Sequence, residues 1–592
     1  MHLSRLIPAA FALAGVLSLP PAAQAATFTV GSGAECTHTT LDAALSAVKT
    51  TQGEDQIRLS NTITYRNVAA KIKDLDVAII GGYDQCNSAA PNSITTLDGY
   101  GGATDSVVEI RGGGVVRLSR LEIINGDEDR DSDGGGIDYK GHGELVLDFI
   151  FVSHNRAGYG GGIYFNADDA RSTLTLLDNI FILYNNADYN GGGLHVSGRA
   201  TLNMVGAVNV VLANTAFGVW SPQAERWVDG YGGGIYIKAP ANADIGASGF
   251  LNGTVFSANE ARLGGAIAAL GNLSGHSSRV RIFSTHADAP IRLRDNIATE
   301  KGGAIYARAT DADSTSVPTV CLFDTSLEGN TAERGAALFS DSDDRIAATM
   351  FVNDAFCPRP ENAANCPRGR NCSEIVGNIA QSYDGRRSDG AIIEGDGWSA
   401  LGGILGFVAR DNIGRALVKI DDSKDYLAAR LENCLIHDNI FDKYVYEFTT
   451  QSTEVSHCTI SGNSIGSQFV FRLHDPSSDT NNTHIWHSII DQPGKGLADV
   501  SGDANDTDIA YVFTNTYILQ HPRYLRHVSF EDPGFVNRDA RDFRLRPDSP
   551  AIDYAPFVID QLSTDLFGNP RTTDLPRQNY GGPRDVGAIE LQ

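Results

Sequence analysis

One short stretch recurs along this chain and constrains what it can become. Tyr159-Gly160-Gly161-Gly162-Ile163-Tyr164 is preceded by Gly134-Gly135-Gly136-Ile137-Asp138-Tyr139. It is followed by Gly191-Gly192-Gly193-Leu194-His195, by Tyr231-Gly232-Gly233-Gly234-Ile235-Tyr236, and by shorter forms at Gly264-Gly265-Ala266-Ile267, Gly302-Gly303-Ala304-Ile305-Tyr306 and Gly335-Ala336-Ala337-Leu338. The first glycines stand 26 to 41 residues apart. Self-similarity at an irregular period of this size predicts a solenoid whose coils share a strand and differ in loop length.

A second motif precedes most of the boxes. An apolar residue stands three before an Asn, as in Val152…Asn155, Val211…Asn214, Phe256…Asn259, Leu293…Asn296, Leu327…Asn330 and Ile375…Asn378. It persists at Ile436…Asn439 and Ile460…Asn463, beyond the last box. The apolar residue is expected to end a strand and point inward. Asn tolerates the left-handed conformation of a sharp corner, and Asn amides stacked on successive coils can bond one another as a ladder.

Hydrophobic residues make up 42% of the chain and charged ones 20%, enough for a large core. The 63 glycines suit a turn-rich β architecture, and no long helical periodicity follows the first 60 residues. A net charge of −25 argues against nucleic acid or an anionic membrane as partner, since both need Lys and Arg to neutralise phosphates.

Residues 1–25 read as a signal peptide. Leu6 to Leu19 is an apolar core, and Ala23-Gln24-Ala25 fits small-x-small cleavage before Ala26. An exported, extracellular or outer-surface monomer with no membrane span in the mature chain is the expectation, with the periplasm as the other compartment. Export permits disulfides among the eight cysteines. Cys36 and Cys86 bracket the N-terminal segment and form the first expected pair. Two of Cys357, Cys366 and Cys372 bridge, or one reaches Cys321. Cys434 and Cys458 occupy the same place in two coils and are expected to stack as buried thiols.

Residues 26–100 read as a cap with the first coils. Leu41, Ala44, Leu45 and Val48 mark a short amphipathic helix that would cover an exposed strand edge. Residues 101–530 are the solenoid, roughly 14 coils at ~30 residues each and on the order of 65 Å long. Residues 531–592 change character. Asp532-Pro533-Gly534-Phe535, Ser549-Pro550-Ala551-Ile552-Asp553, Gly568-Asn-Pro570-Arg571 and Asp585-Val586-Gly587-Ala588-Ile589-Glu590 resemble the terminal module of exported bacterial choice-of-anchor Q domain proteins. The head, with Cys36, Gly81-Gly82-Tyr83 and Cys86, is similar to the same group. The Gly-Gly-Ala-Ile and Phe-x-x-Asn repeats also resemble chlamydial polymorphic outer-membrane proteins, which are adhesins. These resemblances imply an all-β chain: a single right-handed parallel β-helix with a helix-bearing N-terminal cap and a C-terminal cap. The sequence ends at Gln592 without a sorting motif, a final apolar helix or a barrel, so release, or retention through another protein, is expected.

Candidate chemistry is sparse. Asp129, Asp131 and Asp133, followed by Gly134, match the first half of a calcium loop, although position 12 is Lys140. Ca²⁺ is therefore a candidate ligand here, whereas a zinc site at Cys357, Cys366 and Cys372 lacks a His at ligand spacing. Gly141-His142-Gly143 resembles a polygalacturonase motif, but the paired Asp168-Asp169 follows it instead of preceding it. His142 is expected to be a turn residue. The long insertion 217–229 carries Trp220 and Trp227. Paired Trp could stack on sugar rings; the plainer expectation is that they pin the loop against the rod. The chain is read as non-catalytic, binding a glycan or a cell-surface protein. A polysaccharide lyase or glycoside hydrolase is the alternative, and a structural envelope component the third. Carboxylates beside an Arg or Lys on one strand face would favour the enzyme.

Overall fold

The computed structural model describes residues 25–48, 53–100, 106–127, 129–247, 254–271, 278–284, 290–309, 318–341, 349–352, 357, 359–360, 373–382, 384–396, 401–421, 429–448, 453–474, 483–501, 507–518, 524–556, 562–571 and 582–592. Glu128, Cys366, Cys372 and the apolar run Leu6 to Leu19, expected to be a signal-peptide core, lie outside them.

One coil shows how the sequence builds the rod. Strand Glu144–Ser153 bends at Phe149 (φ 53°), giving a first face at 144–148 and a second at 150–153. The chain turns at His154 and Asn155, runs through the short strand Arg156–Tyr159, and turns again at Gly160 (φ 59°). Ile163–Leu176 then supplies the third face and continues into the first face of the next coil. Among the described residues the strands of the large sheet pair in parallel from coil to coil, as between Glu144–Leu147 and Thr173–Leu176 or Ile150–Ser153 and Ile180–Leu183, with local register shifts such as that between Ala167 and Ser172. Alternate inward residues such as Ile150, Val152, Ile180 and Ile182 form one continuous core along the axis. The expected all-β parallel solenoid is observed. The glycine box has a local cause: the first glycine of each box, from Gly134 (φ 68°) to Gly335 (φ 59°), is left-handed, a conformation that costs other residues free energy.

Asn155, Asn185, Asn214, Asn259, Asn296, Asn330, Asn378, Asn412, Asn439 and Asn463 form a buried ladder. Each Nδ2 donates to the Oδ1 of the next Asn at 2.8–3.0 Å. It also donates to a carbonyl of the coil before, such as Phe256 O for Asn296. Gln492, its amide oriented by the hydrogen-bond network, accepts from Asn463 Nδ2 at 2.9 Å and ends the column. The left-handed residue is not the Asn but the one before it: His154 (57°), Tyr184 (54°), Ala213 (53°), Ala258 (52°), Asp295 (54°), Asp411 (58°) and Asp438 (53°). The Asn side chain must point into the rod to reach its neighbours, so the preceding residue takes the corner.

The head holds Leu41–Val48 as the one helix among the described residues. Its buried residues are Leu41, Ala44, Leu45 and Val48, and the Thr40 hydroxyl caps it by accepting from Ala43 N at 3.2 Å. The helix packs against strands Thr27–Val30, Asp55–Ser60 and Ala70–Lys73. Cys36 and Cys86 are joined, with Cα atoms 5.1 Å apart, and Cys321 is joined to Cys357. Cys434 and Cys458 form a disulfide where buried thiols were expected. Cys434 lies in strand Ala429–His437 and Cys458 just before strand Thr459–Ser461, and the pairing of those strands brings their Cα atoms to 4.5 Å, within bridging reach.

The tail lies along the side of the last coils. Val408, Leu435, Thr459, Ile489 and Phe513 are register partners on the second face. Phe535, Phe543, Leu545, Val586 and Ala588 pack over this row, and Gly587 N and Ala588 N donate to His487 O and Thr459 Oγ1.

Candidate functional site

The outer row of the third face aligns Asp138, Tyr164, His195, Tyr236, Ala268, Tyr306, Phe339, Glu394, Lys419, Glu447 and Arg472 in unbroken register. At both ends of the row, buried carboxylates sit between cations. Asp138 contacts Arg111 and Lys140, and burial pushes its carboxyl up against the pull of those charges. Glu394 meets Arg334 at 2.6 Å and Lys419 at 3.3 Å. Glu447 meets Arg415 at 2.6 Å and Arg472 at 3.1 Å. The middle of the row is aromatic. Tyr236, Leu263, Ala268, Leu270, Tyr306 and Phe339 form a second hydrophobic cluster outside the main core, with Tyr231 packed on it.

Over this aromatic stretch stands a hairpin. Val219–Ser221 pairs antiparallel with Arg226–Val228, placing Trp220 opposite Trp227. The indoles meet edge to face, ring centroids 6.0 Å apart, and are 51% and 48% exposed. About half of each indole is thus open, more than a loop pinned wholly by its aromatics would leave. The base of the hairpin is instead held by backbone and polar groups. Asn190, one coil earlier, donates from Nδ2 to Asp229 Oδ1 at 2.9 Å and accepts from Tyr231 N at 3.0 Å. Arg262, one coil later, donates from Nε to Asp229 O at 2.8 Å.

Trp220, Trp227, Tyr231, Arg262, Glu300, Lys301, Tyr306 and Asp341 line a groove of about 740 Å³. Arg262 Nη1 meets Glu300 Oε2 at 2.8 Å, and Lys301 Nζ meets Asp341 Oδ2 at 3.2 Å. The Tyr306 hydroxyl donates to the same Asp341 oxygen at 2.6 Å. Burial pushes that phenol well above its ordinary value, and the Asp341 charge adds to the rise. Lys301 also lies 4.6 Å from the Phe339 ring centroid. A second cavity, of about 690 Å³, separates the tail from the rod. Its charges serve as clamps: Arg538 bridges Asp491 and Asp532, and Arg541 bridges Asp411 and Asp438. It presents no pair of exposed indoles.

Asp129, Asp131 and Asp133 do not converge on a common point. Asp133 meets Lys140 Nζ at 2.9 Å, Asp131 accepts from the Tyr189 hydroxyl at 3.1 Å, and Asp129 opens a turn with Ser132. Lys140, at the position where a calcium loop would carry Glu, brings its own positive charge to the loop. Among the described residues no group of three His, Cys, Asp or Glu side chains is arranged to hold a metal ion. His142 is exposed in a turn. Strand residues Asp168 and Asp169 have side chains outside the described set.

His195 gives this face a pH signature. It is 4% exposed, with ring centroids of Tyr164 and Tyr236 both 4.7 Å away and that of Tyr159 at 5.8 Å. Burial, and then the charge of Lys238, hold its pKa down at about 3, against a hydrogen bond with the Asn190 backbone. The unfolded chain, with an ordinary imidazole near 6.5, binds more protons below neutrality. Stability is therefore intact above about pH 6.5 and falls as the pH drops toward 3. At pH 4 the loss should be on the order of 3 kcal/mol. Denaturant unfolding of a His195→Phe variant, compared with the parent at pH 7 and pH 4, should show an acid loss smaller by that amount. Equal losses would refute the assignment.

Residues 290–308 match the Chlamydia polymorphic membrane protein repeat. The matched segment contains the Asn296 corner, the Gly302 box and groove residues Glu300, Lys301, Tyr306 and Arg308. No curated protein matches the chain. The 19 matched residues identify a shared repeat unit, the strand–corner–glycine-box segment from which this rod is built.

Proposed function

We propose that this chain is an exported, non-catalytic β-helix protein that works at the cell surface or outside the cell and binds a glycan in the groove beneath the Trp220–Trp227 hairpin. The observation that carries this reading is the pair of exposed indoles held in place by Asn190 and Arg262. Half-exposed Trp beside polar groups suits sugar rings, which offer apolar faces and hydroxyl edges. A site ordered before binding loses less entropy on binding. The disulfides favour an oxidising compartment, and the repeat shared with a polymorphic membrane protein favours a surface location. The resemblance of head and tail to choice-of-anchor Q proteins belongs to the same proposal.

Two observations favour the enzyme instead: Asp138, Glu394 and Glu447 sit beside Lys or Arg on the outer row of the third face, and Glu300, Lys301, Tyr306 and Asp341 share the groove with the indoles. Both readings meet in one experiment. The chain from Ala26 is passed over immobilised polysaccharides, and reducing-sugar and unsaturated-product release is measured alongside. Retention without release, weakened at least tenfold in Trp220→Ala/Trp227→Ala with an unchanged thermal melt, is the expected result. Product release would replace binding by catalysis. Neither retention nor release would leave the groove without a glycan role.

A further inference from the structure

We infer that the glycan held by this groove is uncharged where it touches the protein: a neutral sugar polymer, not a polyuronate or a sulfated chain. The inference rests on the glycan-binding reading above and narrows it.

The groove is electrically balanced. Its lining carries four acidic and four basic side chains, in a protein of net charge −25. The long-range field therefore repels a polyanion, and the groove holds no local excess of positive charge to overcome that repulsion. Two of its four cations are held in ion pairs: Arg262 with Glu300 at 2.8 Å and Lys301 with Asp341 at 3.2 Å. Drawing Lys301 onto a sugar carboxylate would strip the cation from Asp341, whose side chain is 14% exposed, and an uncompensated, largely buried carboxylate is strongly unfavourable.

Hydroxyl groups face no such conflict. A carboxylate already bonded to one cation keeps lone pairs for sugar O–H donors. A guanidinium already bonded on one side keeps N–H groups for sugar oxygens. A neutral polyol can bond both members of each pair and leave the pair intact, while its rings lie against Trp220 and Trp227. Because no net charge is transferred, salt should not weaken the complex, whereas capture of a polyanion would weaken as salt screens it.

The test is affinity electrophoresis of the chain from Ala26 and of Trp220→Ala/Trp227→Ala, each in 50 mM and 500 mM NaCl. The gels carry neutral glucan, mannan or galactan, or else polygalacturonate, alginate or a sulfated galactan. The expected result is retardation by at least one neutral polymer that changes less than twofold with salt and falls at least tenfold in the double variant. Trp-dependent retardation by an anionic polymer equal to or greater than that by any neutral one would overturn the neutral class while keeping the groove as a glycan site. So would a loss of more than tenfold in high salt. Absence of Trp-dependent retardation on every polymer would overturn the glycan reading itself.

Discussion

Replacing Asn296 with Leu should lower the stability of the central coils by on the order of 4 kcal/mol, because four buried hydrogen bonds depend on one amide. Its Nδ2 donates to Phe256 O at 3.1 Å and to Asn330 Oδ1 at 2.9 Å. Its Oδ1 accepts from Asn259 N at 3.1 Å and from Asn259 Nδ2 at 3.0 Å. Leu fills a similar volume and satisfies none of them. The cost falls below the sum of four separate losses, since Asn330 Oδ1 still accepts from Asn296 N. Urea unfolding with hydrogen exchange at residues 259 and 330 would locate the effect, which a single global transition would blur in a repeat protein. Asn186, exposed beside buried Asn185, supplies the control: Asn186→Ala should stay within about 0.5 kcal/mol. A loss under about 1 kcal/mol at Asn296 would mean that the ladder adds little beyond the sheet.

Arg571→Met should undock the tail while the rod stays folded. Arg571 is fully buried. Its Nη2 donates to Asn433 Oδ1 at 2.9 Å and to Ala588 O at 3.2 Å, and its Nε to Thr564 O at 3.1 Å. Nη1 lies 3.7 Å from Glu590. Asp585 and Glu590 are buried as well. Burial pushes both carboxyls up, and the Arg571 charge opposes it. Removing one partner from such a group costs roughly 3–5 kcal/mol. Because the tail packs on the side of the rod, the loss should appear as local opening. Limited proteolysis should cut the variant near residue 530 and leave the β-sheet circular dichroism unchanged. A tail as protected as in the parent would refute the role of Arg571.

The solenoid was legible because its causes are local. A left-handed corner selects glycine at position 160 and its equivalents, and a buried amide selects Asn at the ladder. Two rungs were missed for physical reasons. Asn412 follows Ala409 and precedes Gly414, small residues that weaken the pattern. Asn185 adjoins Asn186, and sequence alone does not say which of the two turns inward. The left-handed residue was misplaced because Asn tolerates that conformation best in isolation; in the coil its amide is committed inward, so His154, Tyr184 or Ala213 adopts it. The groove was only half legible. Trp220 and Trp227 stand out in a long insertion, but Arg262, Lys301 and Asp341 reach them through three further coils of unequal length. Only the register of the sheet brings them together.

The amide ladder also makes length an independent variable. Every rung donates in the same direction and needs only the rung before and after it. A segment copied from one Asn corner to the next would join at both cuts without reorienting a neighbour. Each added or deleted unit would change the separation of the indole hairpin and the docked tail by one strand spacing, about 4.8 Å. The molecule is built like a ruler, on which reach can be reset one graduation at a time while the features at either mark keep their shape.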